Sequence, residues 1–198
     1  TENEVYYYKE KYLFVCGSTH PGEEEILIDS FIDLNKENKH LVLAPRHPER
    51  FGEIKELVNK KNLSNILYTE ISSNPDIKSD VTIVDVIGRL LDFYEIADCV
   101  FIGGTLVDHG GQNFLEPAFF NKPIISGRST YNFDEISKKL SDLGLLKFVS
   151  NKDEISSVVQ NIEPISDSLK KDTNLWLNEN RGASKFISKK VCKEFNLV

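Results

Sequence analysis

Positive charge is in short supply in this chain. Its 24 Lys and Arg residues stand against 31 Asp and Glu, giving a formal net charge of -7 over 198 residues. That balance excludes a broad basic face that wraps nucleic acid, while leaving room for a small local anion site. Cysteine is scarce as well. Cys16, Cys99 and Cys192 are odd in number and widely spaced, which is no disulfide framework. Cys16 and Cys99 lie inside apolar runs and read as buried free thiols of a reducing compartment. No apolar run is long enough to span a bilayer. The polar, acidic start Thr1-Glu2-Asn3-Glu4 reads as neither a signal peptide nor a basic transit peptide. His20, His40, His47 and His109 show no metal-ligand spacing, so no metal site is expected. The G-x-x-x-x-G-K-[ST] order of a P-loop is missing, and so is G-x-G-x-x-G after the first apolar run. No Ser-His-Asp or Cys-His set has a recognisable spacing, and no catalytic residue is assigned.

What the chain does contain is a regular alternation. Short β-branched runs predict strands at Tyr12–Cys16, His40–Ala44, Ile66–Thr69, Val81–Val84, Cys99–Ile102, Pro123–Ser126 and Leu146–Val149. They are apolar on both faces, as central parallel strands are. Helical periodicity lies between them: Phe51, Ile54, Leu57 and Val58 share one face, and Phe133, Ile136, Leu140 and Leu143 another. Ile187, Val191 and Phe195 do the same near the end. The fold class that follows is α/β, a Rossmann-like doubly wound parallel sheet. After Val149 the pattern turns wholly helical, at Asp153–Asn161, Ile165–Asn180 and Ala183–Phe195. These extra C-terminal helices exceed what the sheet needs and are expected to wrap onto another part of a larger protein. No linker divides residues 1–198, which are expected to fold as one soluble, monomeric domain.

In such folds ligands bind beyond the carboxyl ends of the strands. Four polar or glycine-bearing loops are expected there: Gly17–Glu25, Pro45–Phe51, Asp85–Gly88 and Gly103–Glu116. The last is the most informative. It carries two Gly-Gly pairs, at 103–104 and 110–111, then Asn113 and Glu116 at helical spacing. Glycine lets backbone approach a ligand closely. The helix that follows turns free N–H groups and its positive end toward the loop, which suits a phosphate. Arg46 and His47 lie between two prolines that fix the local backbone, and an arginine fork at a strand end suits a phosphate or carboxylate. Arg50 starts a helix and reads as a structural or surface residue. Ser18, Thr19 and Gly22 read as helix caps or ligand contacts. Glu23, Glu24 and Glu25 read as a solvated helix start. No neighbour in sequence activates His20 as a base.

Gly-Ser-Thr-His-Pro-Gly-Glu-Glu (17–24), Pro-Arg-His-Pro-Glu-Arg-Phe (45–51), Asp-Val-Ile-Gly (85–88) and Gly-Gly-Thr-Leu-Val-Asp-His-Gly-Gly-Gln-Asn-Phe-Leu-Glu-Pro (103–117) occur in one order. In that order, from about Tyr12 onward, the chain resembles the C-terminal half of the 3-deoxy-D-manno-octulosonic acid (Kdo) transferases, GT-B glycosyltransferases of lipopolysaccharide assembly. The resemblance implies a nucleotide-sugar site for CMP-Kdo. Pro45 and Arg46 would contact the CMP. Val86, Ile87 and Gly88 would border the cytosine and ribose. Asn113, Phe114, Leu115 and Glu116 would hold the phosphate at the helix start and the ribose through the carboxylate. Ser18, Thr19, His47, Gly110 and Gly111 are further candidate donor contacts. Two positions depart from the family pattern: Arg89 stands where a glutamate is usual, and Gln112 where a histidine is common.

The resemblance further implies a metal-independent enzyme without a cofactor, working at the cytoplasmic face of the bacterial inner membrane. Its catalytic carboxylate, its surface for the lipid A precursor and its membrane anchor would belong to an N-terminal half. This chain would be the donor-binding domain, inactive alone. Two other readings stay open: the donor domain of another GT-B enzyme, such as a UDP-sugar transferase or 2-epimerase, or a non-catalytic α/β module that binds an anion or a protein.

Overall fold

The computed structural model describes residues 7–74 and 76–194, with side chains as far as position 180. Seven strands form: β1 (Tyr12–Thr19), β2 (Lys39–Pro45), β3 (Asn65–Leu67), β4 (Val81–Ile83), β5 (Cys99–Ile102), β6 (Ile124–Ser126) and β7 (Leu146–Phe148). They make one sheet in the order β3-β4-β2-β1-β5-β6-β7, every pair parallel. The chain winds outward in one direction from β1 through β2, then returns to β5 on the other side of β1 and winds the opposite way. The reversal between β1 and β5 opens a crevice at their carboxyl ends.

Each central strand is buried on both faces, so its side chains sort by parity. Leu13, Val15, Val100 and Ile102 join one core with Phe93, Tyr94, Phe114 and Leu140. Phe14, Cys16, Cys99 and Phe101 join the other with Leu27, Ile28, Phe31, Ile54, Val58 and Ile155. The covering helices follow from this. On the second face lie α1 (Glu23–Ile32), α2 (Phe51–Lys60) and α7 (Lys152–Gln160). On the first lie α4 (Leu90–Ile96), α5 (Leu115–Phe119), α6 (Asp134–Leu143) and the start of α8 (Asp167–Glu194), while α3 is the single turn Tyr68–Ile71. Cys16 and Cys99 are buried free thiols whose pKa values burial pushes up. Among the described residues no helix is long and apolar enough to cross a membrane.

Three expectations are corrected. The third strand stops at Leu67, because Glu70 reaches back to accept the Leu67 N–H at 3.1 Å and starts a helical turn that takes in Thr69. The two final helices are one, Asp167–Glu194, running through Gly182. A lone helical glycine costs roughly 1 kcal/mol, too little to end a helix of that length. Its first turns fold back onto this chain's own sheet through Leu169, Trp176 and Leu177, rather than projecting wholly outward. Phe195, assigned to the last helical face, lies outside the described residues.

One buried histidine gives the fold a pH dependence. His40 on β2 is fully buried. Its Nδ1–H donates to the Ser79 carbonyl at 3.0 Å, and its Nε2 accepts from the Thr82 hydroxyl at 2.9 Å. Thr82 in turn accepts from Tyr8 at 3.1 Å. Burial, with Lys11 adding to it, lowers the His40 pKa from 6.5 to about 3. Between those values the unfolded chain binds a proton that the folded chain refuses, so the contribution is complete above pH 6.5 and is lost as pH falls toward 3. Urea unfolding followed from pH 7 downward should therefore show stability falling with acid, and His40→Gln should have the shallower slope, whatever its stability at neutral pH.

Candidate functional site

The loop after β1 begins under constraint. The β1–β2 register breaks between Gly17 and Thr19, and Ser18 sits at φ 55°, a left-handed conformation unusual for serine. Across the crevice, Gly103 follows β5 and donates its N–H to the Gly17 carbonyl at 2.8 Å. The two chains run so close that a Cβ on Gly103 would lie 2.2 Å from the Ser18 carbonyl oxygen, and one on Gly17 would lie 2.0 Å from the Tyr94 hydroxyl. These glycines serve close packing of protein on protein.

Glu23 joins the same two loops. It is fully buried at the start of α1. Oε2 accepts from the backbone N–H groups of His20 at 2.9 Å and Gly104 at 2.7 Å. Oε1 accepts from those of Thr105 and Leu106, each at 3.0 Å. Glu24 beside it is also buried; its Oε1 accepts from Thr19 Oγ1 at 3.0 Å and Arg50 Nη1 at 2.9 Å. The expected solvated glutamate run is thus corrected. Only Glu25 is a surface residue, because the loop amides and Arg50 supply the donors that make burial of two carboxylates tolerable. Arg50 is structural, as its position predicts. The loop's first amide cluster, which by composition suits an external anion, already holds a carboxylate of the protein.

The ligand-accessible space lies beside this staple, in two adjoining hollows that share Ser18, Arg46, Gly88 and Leu90. One, of about 310 Å³, is completed by Leu91, Tyr94, Gln112, Asn113 and Glu116. The other, of about 180 Å³, is completed by Ala44, Pro45, Pro48, Val84, Val86 and Ile87. A larger hollow of about 370 Å³ lies elsewhere, at the amino end of β1 near Tyr12, Asp98 and Lys122. It touches none of the four loops, and the carboxyl rim has the stronger claim because the crossover reverses there.

Most predicted residues meet at that rim. Arg46 is exposed, lines both hollows and has no carboxylate partner among the described residues. Asn113 Oδ1 accepts the Leu115 N–H at 3.0 Å, and Nδ2 donates to Glu116 Oε1 at 3.0 Å. Asn113 thereby holds the Glu116 carboxylate toward the hollow. Ile87 is 87% exposed at the rim.

Others are placed differently. The Phe114 ring is fully buried, edge-on to Phe133, and Leu115 projects from the surface; neither lines the two hollows. Thr19 is fully buried with its hydroxyl on Glu24. The Gly110 N–H bonds Ser129 Oγ at 3.2 Å, and that of Gly111 bonds the Gly104 carbonyl at 2.9 Å, so both shape the loop. His47 is exposed, 3.5 Å from Glu49.

Sequence reasoning did not name Tyr94, Leu90 or Leu91. Tyr94 is a buried core residue that also lines the hollow, its hydroxyl lying over Gly17, where there is room only for glycine. Burial, then the nearby Glu116, raises its pKa and keeps the phenol protonated.

The staple makes a direct prediction. Glu23→Gln keeps the shape but turns an NH₂ group toward backbone donors. The loss should be about 3 kcal/mol, or a Tm lower by roughly 6–12 °C. Amide exchange of Gly104, Thr105 and Leu106 should quicken more than that of β2. Glu25→Gln should leave both measurements unchanged.

No protein-family model matches the chain. Curated relatives do. The chain is 36% identical over 177 residues to a 3-deoxy-D-manno-octulosonic acid transferase of Haemophilus influenzae, covering 86% of the chain and 41% of that protein. It is 30% identical over 158 residues to the Aquifex aeolicus protein of the same name, covering 79% and 43%. A bifunctional glycosyltransferase/methyltransferase of Fusobacterium nucleatum is 35% identical over 187 residues, covering 94% and 28%. The chain thus spans less than half the length of these relatives. Among solved structures, the C-terminal CMP-Kdo binding domain of WaaA from Acinetobacter baumannii superposes with a TM-score of 0.68 at 24% identity, covering 94% of this chain and 90% of that one. An O-GlcNAc transferase of Thermobaculum terrenum superposes at 0.56 with 13% identity, covering 85% and 32%. The sheet is the Rossmann-like domain of a GT-B fold, and over most of its length the chain is similar to part of the 3-deoxy-D-manno-octulosonic acid transferases.

Proposed function

We propose that residues 1–198 are the donor-binding domain of a Kdo transferase, and that the two hollows hold CMP-Kdo. The observation that carries this reading is convergence. Arg46, Gly88, Asn113 and Glu116 come from three loops far apart in sequence and line one crevice at the crossover reversal. In this reading the shallower hollow of Pro45, Val86 and Ile87 takes the cytosine, with apolar side chains against the base. Glu116, held by Asn113, accepts hydrogen bonds from the ribose diol. Arg46 supplies the positive charge for the phosphate, assisted by backbone at Asn113–Leu115 and by Ser18. His47 borders the same charge.

The domain binds and orients the donor. The acceptor hydroxyl and the base that deprotonates it would come from a second, N-terminal domain across the crevice, which would also meet the lipid A precursor at the cytoplasmic face of the inner membrane. No cofactor enters this scheme. Displacement at the anomeric carbon needs acceptor and base together. We therefore expect residues 1–198 to bind CMP and to transfer no Kdo to a lipid A precursor, a result that a coupled product assay would register.

The two charged wall residues should behave differently. Arg46→Ala removes a charge-assisted contact to phosphate worth about 1.5–3 kcal/mol. Its loss should fall mainly on CMP, spare cytidine and shrink at high salt, because the guanidinium is exposed. Glu116→Ala removes contacts to the ribose, so it should weaken cytidine and CMP alike and persist in salt. Calorimetric titration of both ligands on both variants checks this. Equal losses in all four cases would reject the assignment, and tighter binding of UMP or GDP than of CMP would move the reading to another GT-B donor.

A further inference from the structure

An imidazole cluster beside the nucleotide hollow has no part in the scheme above. His20 and His109 stack, with ring centroids 4.3 Å apart and planes at 20°. His20 is about nine-tenths buried, and its Nε2 lies 3.3 Å from Nε2 of Gln112, which itself lines the hollow of about 310 Å³ at the rim. His47, Arg46 and Arg50 are the basic groups near His20, in a chain whose net charge is -7, and the carboxylate beside it is Glu23, which accepts its backbone N–H at 2.9 Å.

The nearby carboxylates make their hydrogen bonds to other groups than the two imidazoles. Glu23 is saturated by four backbone N–H groups, and Glu24 by Thr19 and Arg50. Asp108, next to His109 in the loop, accepts from Ser129 at 3.2 Å. Among the described residues no ion pair joins either stacked imidazole to an acidic side chain. Two stacked imidazoles cannot both be charged without a counter-ion. Burial and these basic neighbours lower the His20 pKa in the free protein.

We propose that the His20–His109 pair, with Gln112, is a second anion subsite that receives the carboxylate of the sugar acid attached to the nucleotide phosphate. The pair is contiguous with the nucleotide hollow through Gln112. The Gln112 amide N–H donates to His20 Nε2, and the exposed His109 ring has no acidic ion-pair partner among the described residues, so a ligand carboxylate can supply one. This assignment rests on the reading of the hollows as a CMP-Kdo site. It makes donor choice depend on the acid group and not on the nucleotide alone. It also gives a sign to the pH dependence: a bound carboxylate favours the imidazolium, so affinity for the sugar-acid donor falls as pH rises through the imidazole range, while affinity for CMP follows its own phosphate contacts.

Calorimetric titration of residues 1–198 with CMP and with CMP-Kdo, at about pH 6 and about pH 8, tests the subsite. CMP-Kdo should bind about tenfold more tightly than CMP at the lower pH, with the preference shrinking toward about threefold at the higher. His109→Phe keeps the stacked ring and removes the charge. His20→Gln keeps a polar group facing Gln112. In both variants the preference should fall below about twofold, with CMP affinity changing little. Imidazole proton resonances give a second readout: CMP-Kdo, but not CMP, should raise the pKa of His20 in the wild-type chain. A preference that survives His109→Phe overturns the subsite while leaving the CMP reading intact. Equal losses for CMP and CMP-Kdo would assign the pair to the phosphate and also overturn it. No binding of CMP to the wild-type chain would overturn the proposed function, and the subsite with it.

Discussion

A single buried carboxylate sets the geometry on which the site depends. Glu23 accepts four backbone N–H bonds, one from the loop after β1 and three from the loop after β5. The crossover reversal already brings those two loops to one rim, but a reversal fixes only where strands end. The charge-assisted bonds fix how the loops lie against each other. An unpaired carboxylate buried there would be strongly destabilising, so the loops and α1 can form only together. Ser18 on one side of the crevice and Gln112 and Asn113 on the other are then held across from each other without touching a ligand.

This changes the meaning of the glycine-rich loop. A run of Gly-Gly pairs before a helix invites comparison with phosphate-binding loops, in which backbone amides cradle the anion. Here the amides of Gly104, Thr105 and Leu106 hold the protein's own anion. Anion binding, in the reading proposed, passes to side chains instead: Arg46 for the phosphate, and the stacked imidazoles for a carboxylate. A side-chain site of this kind discriminates among anions by charge placement and pH more than an amide cradle does. That fits a donor that carries two acidic groups close together.

The electrostatic layout also explains how a chain of net charge -7 can serve an anionic ligand. Near the crevice, Glu24 is paired with Arg50 and Glu23 is held by four backbone N–H groups, while Arg46, His47 and His109 stay exposed. Local pairing, not overall composition, sets the sign that an approaching ligand meets.

The sequence by itself determined the architecture and much of the rim. Seven short, mostly apolar runs alternating with helical patterns pointed to a parallel sheet, in which β3 and β7 turn out to be the edge strands, and parallel strands place all their following loops at one edge. Arg50 as a structural residue and Arg46 as an anion contact candidate were legible from their positions around the prolines. Linear order carries no information on which of three adjacent glutamates a distant loop will claim, so Glu23 and Glu24 were misread as solvent-facing. The same limit hid Tyr94, a core residue by periodicity, and the meeting of His20 with His109 across 89 positions. The tertiary structure alone decided these, because burial of a charge or stacking of two rings depends on which donors and faces the fold brings within about 3–5 Å. That pairing is set by the crossover between β1 and β5, not by any local spacing.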